Sequence, residues 1–278
     1  MRIGFHISIA GGFKNVVERA VERGCTTIQI FSRNPRGWHS KPLDKEDVAL
    51  FREAVQKSDI HPVFAHMPYL VNLAALDSGL FKKSVDSLIV DLKRSNLLGA
   101  RFLIVHIGSS GNKKKGIEQM IKGINLAFDK VKNDVILLLE NTAGSGNELG
   151  SRFEQIKSIL KEIDDKKRIG VVIDTAHAFA AGYDLRTRSA VEKTLTEFDK
   201  IIGVKRLKLI HLNDSKTECG SHVDRHWHVG KGKIGRGMGY IITHPLLFDK
   251  PFIMETPRQS LKDDLLNLRA VEKFLKKA

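Results

Sequence analysis

Two runs in this chain, Ile136-Leu137-Leu138-Leu139 and Val171-Val172-Ile173, are apolar at every position. A strand with one wetted face alternates polar and apolar side chains. One without alternation is buried on both faces, as in a parallel sheet covered by helices. Strand-length segments recur at 2–6, 26–31, 62–66, 101–106, 135–140, 170–174, 207–211 and 251–255. Between them lie stretches with an apolar stripe of 3.6-residue period: 13–22, 44–55, 81–98, 117–131, 151–162, 189–202 and 261–274. Asp44, with Asp47 three residues on, marks one helix start, and Gly99 marks one helix end. Eight strands alternating with helices over about 250 residues is the arithmetic of a (β/α)8 barrel. The expected fold is therefore α/β: a single TIM-barrel domain over residues 1–278, its active site at the C-terminal ends of the strands. A doubly wound sheet is the alternative. Its glycine fingerprint is matched only weakly by Ala10-Gly11-Gly12.

Composition narrows the setting. No apolar run approaches the roughly 20 residues of a membrane span. The chain enters Arg2-Ile3-Gly4-Phe5-His6 without a signal-peptide core, and Cys25 and Cys219 form no C-x-x-C pair. These features predict a reduced, intracellular, cytoplasmic protein with no membrane association. The net charge of +14 favours a polyanionic partner, although a lysine-rich solvated surface would read the same way. Lys113–Lys115, Lys166–Arg168 and Lys205–Lys208 are short basic clusters, none of them a terminal arm.

The strand ends carry the chemistry. Six of the expected strands finish at His66, His106, Glu140, Asp174, His211 and Glu255, with no Lys or Arg among them. In a barrel these ends converge on one face, and His with carboxylate is the donor set of a transition-metal site. His177 follows Asp174 closely. Asp224 and His226 lie in a loop rich in glycine (Gly220, Gly230, Gly232, Gly235, Gly237, Gly239). Nine donors exceed one four-coordinate ion, so two or three metals are implied. His6 reads as structural or as a partner of a ligand, and His222 and His228 compete with His226 for its role. His39, His61 and His244 read as surface or core.

Several stretches together resemble endonuclease IV, the metal-dependent apurinic/apyrimidinic endonuclease family of base-excision repair. They are Glu140-Asn141-Thr142-Ala143-Gly144, the run from Gly170 to Phe179, His211-Leu212-Asn213-Asp214-Ser215-Lys216, and Asp224-Arg225-His226 with the glycines that follow. The resemblance runs from Gly4-Phe5-His6 to Glu255-Thr256-Pro257. It implies three zinc ions, with manganese or cobalt acceptable at one or more sites. His66, His106 and Glu140 would hold the first, and Glu140 would bridge to a second completed by Asp174, His211 and Glu255. His177, Asp224 and His226 would hold the third. Glu140, Asp174 and Glu255 would carry the catalytic charge.

The implied substrate is duplex DNA with abasic sites or blocked 3′ ends. A metal-activated water would attack phosphorus in line, 5′ to the lesion, leaving a 3′-hydroxyl and a 5′-deoxyribose phosphate. The resemblance also implies trimming of 3′ ends. Arg36 and Tyr69 match the family's DNA-penetrating positions, and the protein would act as a monomer at the nucleoid. Ala176 stands where the family often has Cys, and Ser145 where Gln is common; neither is a ligand. One rival is a divalent-metal sugar isomerase or epimerase on a related barrel, which would use Glu140, Asp174, His211 and Glu255 alone. A second is a non-enzymatic DNA-binding protein with structural zinc.

Overall fold

A computed structural model describes residues 1–276; the last two residues of the expected 1–278 domain lie outside the described residues. Eight parallel strands form the sheet: β1 (Ile3–Phe5), β2 (Ile28–Phe31), β3 (Val63–His66), β4 (Phe102–His106), β5 (Ile136–Glu140), β6 (Ile169–Asp174), β7 (Leu207–His211) and β8 (Phe252–Met254). Neighbours in sequence pair from β2 to β8, and β1 pairs β8. A parallel bridge between His6 and Gln29, with Ile7 N donating to the Gln29 carbonyl at 2.7 Å, closes the ring. The result is a TIM barrel in which every expected strand is present.

Helices α1 (Val16–Glu22), α2 (Lys45–Gln56), α3 (Ser78–Leu98), α4 (Lys113–Lys130), α5 (Phe153–Glu162), α7 (Arg188–Ile201) and α9 (Leu261–Leu275) cover the outside. Asp44 caps α2 through Glu46 N, and Gly99 ends α3 with φ +74°. Asp47 has a different use. Its carboxylate accepts from Phe13 N and Lys14 N at 2.8 and 2.9 Å, which starts the turn leading into α1. Two short helices, α6 (Thr175–Ala180) and α8 (Gly237–Ile242), carry too few residues for a periodic stripe and were not expected. Among the described residues, no helix is long and apolar enough to cross a membrane.

The core has two parts. The outer one packs strands against helices. The inner one, inside the barrel, is a layer of Phe64, Ile104, Leu138, Val172, Leu209 and Ile253. Side chains on a strand alternate faces, so the residues two positions further on also point inward. Those residues are His66, His106, Glu140, Asp174, His211 and Glu255. Register then sets their heights. His106 is level with Glu140, and Asp174 with His211, whereas His66 is level with Ile104 and Glu140 with Val172. This two-residue stagger is the shear that closes the barrel, and it stacks the inward side chains in layers. One layer of apolar side chains thus floors a layer of ligand-type side chains.

Chain direction also sorts the basic clusters. Lys113–Lys115 follow β4 and lie toward the face that carries these donors. Lys166–Arg168 and Lys205–Lys208 precede or begin β6 and β7, at the opposite end.

Candidate metal centre

The nine expected donors converge. Glu140 is central and fully buried. Its Oε2 lies 3.2 Å from His66 Nε2 and 3.3 Å from His106 Nε2, and its Oε1 lies 2.8 Å from His211 Nδ1. The same His211 nitrogen is 3.3 Å from Glu255 Oε2 and 3.8 Å from Asp174 Oδ2. His177 Nε2 and His226 Nε2 face one another at 3.2 Å, and each is 3.3 Å from an oxygen of Asp224. His226 Nε2 also lies 3.5 Å from Asp174 Oδ2.

Donor atoms within 4.8 Å of one another fall into three groups: His66, His106 and Glu140; Glu140, Asp174, His211 and Glu255; and Asp174, His177 and His226. The first two are the expected sets. In the third, Asp174 stands beside the expected His177 and His226, and Asp224 borders it from the loop.

The donor set fits cations. Among the described residues, no Lys or Arg forms an ion pair with Glu140, Asp174, Asp224 or Glu255; every partner is a histidine. Four carboxylates in one pocket call for positive charge. The ring orientations agree. His66 Nδ1 is 2.7 Å from the Met67 carbonyl, His177 Nδ1 2.9 Å from that of Asn141, and His226 Nδ1 3.2 Å from that of Glu255. A carbonyl only accepts, so each Nδ1 donates and each Nε2 is turned toward the cluster, the nitrogen whose lone pair a cation would take. This is the way a ligating histidine is oriented.

Electrostatics in the protein alone reflect the same crowding. Burial would lower the His211 pKa, but Glu255, Glu140 and Asp174 outweigh it and raise the value to about 9. His177 is likewise raised against burial, by Asp174, Asp224 and Glu140. Burial opposes ionisation of Glu140 and Glu255, yet the surrounding imidazoles hold both well below the ordinary range. Asp224 is drawn down to about 2 against its burial by His177 and His226. Glu140, Glu255 and Asp224 are thus held ionised, and the protons they favour on His211 and His177 lie where a metal ion would bind.

Supporting residues hold the donors. Asn213 Nδ2 donates to Asp174 Oδ2 at 2.6 Å, and its Oδ1 accepts from Glu255 N at 2.8 Å. Asn141 Oδ1 accepts from Asp174 N at 2.7 Å, and Asp174 Oδ1 caps α6 by accepting from His177 N at 2.8 Å. Gln29, fully buried on β2, has Nε2 2.6 Å from Glu255 Oε1 and Oε1 2.7 Å from His211 Nε2. Sequence reasoning assigned no role to these three amides. Two stand inside the motif stretches, and Gln29 is the polar interruption in Ile28-Gln29-Ile30-Phe31.

The glycine-rich loop is ordered by Asp214. Its carboxylate accepts from the backbone N–H groups of Ser215, Gly232, Ile234 and Gly235 at 2.8 to 3.2 Å. A Cβ on Gly232 would stand 2.3 Å from the Ser215 carbonyl oxygen, so no larger residue fits this close approach. Ser215 in turn pairs with His226 in a short antiparallel ladder of two residues on each strand, which fixes the backbone that carries His226.

His222 and His228 are engaged elsewhere, with Nδ1 at the Ala143 carbonyl and at Asn267 respectively. His6 stacks near Phe31 and places Nδ1 3.3 Å from Glu255 Oε1, the ligand-partner position expected of it. Ser145 donates to the His222 carbonyl at 2.8 Å, joining two loops at the rim.

A cavity of about 940 Å³ opens over the cluster, lined by His66, His106, His177, His226 and Glu255, with Arg36 and Tyr69 at its mouth. Tyr69 is 71% exposed, and its ring meets Phe31 edge-on at 5.3 Å. Arg36 is exposed on the loop after β2.

The AP_endonuc_2 family, described as a xylose isomerase-like TIM barrel, matches residues 17–278. The probable endonuclease 4 of Halothermothrix orenii is 47% identical over 274 residues, spanning 96% of this chain and 99% of that relative. That of Cenarchaeum symbiosum is 47% identical over 275 residues, spanning 97% and 98%. The crystal structure of endonuclease IV from Thermus thermophilus superposes with a TM-score of 0.90 at 40% identity over the whole of both chains. A D-tagatose 3-epimerase-like protein shares the fold, with a TM-score of 0.77 at 16% identity.

Proposed function

The chain belongs to the endonuclease IV family, and from that premise we propose that it is a metal-dependent DNA-repair hydrolase that cuts duplex DNA on the 5′ side of abasic sites. The products are a 3′-hydroxyl and a 5′-deoxyribose phosphate, and the same site trims blocked 3′ ends. The observation that carries the reading is the convergence of nine histidine and carboxylate donors with, among the described residues, no Lys or Arg paired to them. His66, His106 and Glu140 would hold one zinc. Glu140, Asp174, His211 and Glu255 would hold a second, and His177, Asp224 and His226 a third. When bound, these ions supply a nucleophilic water at neutral pH and positive charge for the phosphate oxygens.

The chain's own residues do the rest. Asn141, Asn213 and the backbone carbonyls hold the ligands in place. Both cysteines have raised pKa values, Cys25 through burial to about 12, so neither supplies a thiolate nucleophile. Arg36 and Tyr69, which line the cavity over the cluster, would enter the duplex and fill the space beside an extruded sugar, an extrusion that is cheapest where no base is stacked. The protein would work as a monomeric barrel inside the cell, where its substrate is.

The test is incision of a duplex oligonucleotide carrying one abasic site, beside an intact duplex, with and without chelator. Chelator-sensitive cutting 5′ to the lesion is expected. No incision by folded, zinc-loaded protein, with turnover of a ketose instead, would transfer the assignment to a sugar epimerase.

A further inference from the structure

The geometry points to Gln29 as a positioning residue: its side-chain amide fixes His211 in the tautomer that offers Nδ1 to Glu140, Asp174 and Glu255. This role rests on the strand-end cluster being a metal centre.

The orientation of the amide follows from its partners. Gln29 Nε2 lies 2.6 Å from Glu255 Oε1. An ionised carboxylate only accepts hydrogen bonds, so the NH2 end of the amide must face it. The carbonyl end therefore faces His211 Nε2, at 2.7 Å. An amide oxygen also only accepts, so His211 carries its hydrogen on Nε2. A neutral imidazole protonated there keeps its lone pair on Nδ1. That nitrogen is the one lying 2.8, 3.3 and 3.8 Å from Glu140, Glu255 and Asp174. Gln29 Nε2 also lies 2.9 Å from His6 Nδ1, which is itself 3.3 Å from Glu255 Oε1. One proton assignment satisfies Gln29, His211 and Glu255 together.

His211 differs from its neighbours. His66, His177 and His226 are oriented by backbone carbonyls and present Nε2. His211 presents the opposite nitrogen, and its outer partner is a side chain. Its orientation can therefore be deleted by one substitution, whereas theirs cannot. Gln29 also ties His211 to Glu255, two ligands of the same group, through one planar amide. Loss of such an outer partner costs about 10–100-fold in metal affinity.

The experiment compares wild type and Gln29→Leu, similar in size but unable to hydrogen-bond. Zinc is titrated into metal-free protein against a competing chelator, and histidine tautomers are read from long-range nitrogen–proton NMR spectra of the zinc-loaded wild type. The expected result is one class of zinc site weakened by about 10–100-fold in the variant with the others unchanged, and His211 as the Nε2–H tautomer in wild type. Wild-type zinc affinity at every site of a folded Gln29→Leu protein would overturn the inference while leaving the metal centre intact. Failure of wild type itself to bind zinc would overturn both. If the variant does not fold, the wild-type spectrum decides alone: an Nδ1–H tautomer at His211 would refute the role.

Discussion

Arg33, on the loop after β2, reaches Asp91 on α3 with Nη2 2.9 Å from Oδ2, and both side chains are buried. The pair does more than neutralise itself. Arg33 Nη1 donates to the carbonyls of Gly37 and Trp38 at 3.1 and 3.0 Å, which ties down the loop that carries Arg36. Removing one partner of a buried pair leaves an uncompensated charge. Asp91→Ala should therefore destabilise the protein by about 3–5 kcal/mol, measured by urea unfolding. A loss below about 1 kcal/mol would place the pair among ordinary surface bridges.

Glu140 and Glu255 test the centre from within. Glu140→Gln and Glu255→Gln keep the shape, but each removes one ligand charge and exchanges one acceptor oxygen for an NH2 donor. Since loss of an outer partner already costs about 10–100-fold, loss of a ligand charge should lower abasic-site incision by at least about a hundredfold with the fold retained. Near-normal turnover by a folded variant at either position would contradict the ligand assignment.

The six strand-end donors were legible because two regularities coincide. A strand alternates faces, and a barrel's last inward residue faces its mouth, so each donor sits two residues beyond a core residue such as Leu138 or Val172. Asp224 and His226 came from a loop without periodicity; their donor chemistry within a long glycine-rich loop marked them, and the motif resemblance gave them their set. Gln29, Asn141 and Asn213 were not assigned roles because a buried amide is defined by its partners, and those partners come from distant strands. Gln29 meets His211 across 182 residues of sequence. The Arg33–Asp91 pair escaped for the same reason. The short helix α6 was hidden because Asp174 serves at once as strand end, helix cap and donor.

Stability without metal should depend on pH in a defined direction. The His211 pKa rises from 6.5 to about 9 on folding, so its contribution is fully present below pH 6.5 and lost as pH climbs through 9. Glu140, Glu255 and Asp224 are shifted down, so their contributions are present above their unfolded values and lost in acid. The chelator-treated protein should be most stable between about pH 4.5 and 6.5 and weaken on both sides. Bound zinc replaces the imidazole protons, so the alkaline loss should disappear in the loaded protein. Thermal unfolding across pH, with and without chelator, checks this; an identical alkaline decline in both forms would contradict it.

The basic clusters should divide by face. Lys113–Lys115 are exposed and lie toward the donor-bearing end of the barrel, whereas Lys167 and Lys205 are exposed at the other. Replacing Lys113, Lys114 and Lys115 by Ala should weaken duplex binding and flatten its salt dependence, by about 0.9 in log–log slope for each phosphate no longer neutralised. Lys167→Ala with Lys205→Ala should change neither. Equal effects from both sets would mean the charge acts through the whole molecule rather than through one face.

Tyr69 separates lesion recognition from general DNA affinity. Its ring is braced edge-on by Phe31 yet 71% exposed at the cavity mouth. If it fills the gap beside an abasic sugar, Tyr69→Ala should weaken abasic-duplex binding by about 1–3 kcal/mol, the range for one base–aromatic stack, and leave intact-duplex binding nearly unchanged. Tyr69→Phe keeps the ring and should restore most of the loss, because stacking rather than the hydroxyl does the filling. Binding to both duplexes by fluorescence anisotropy distinguishes the cases. An equal loss on damaged and intact DNA would reduce Tyr69 to a backbone contact and leave Arg36 as the remaining candidate wedge.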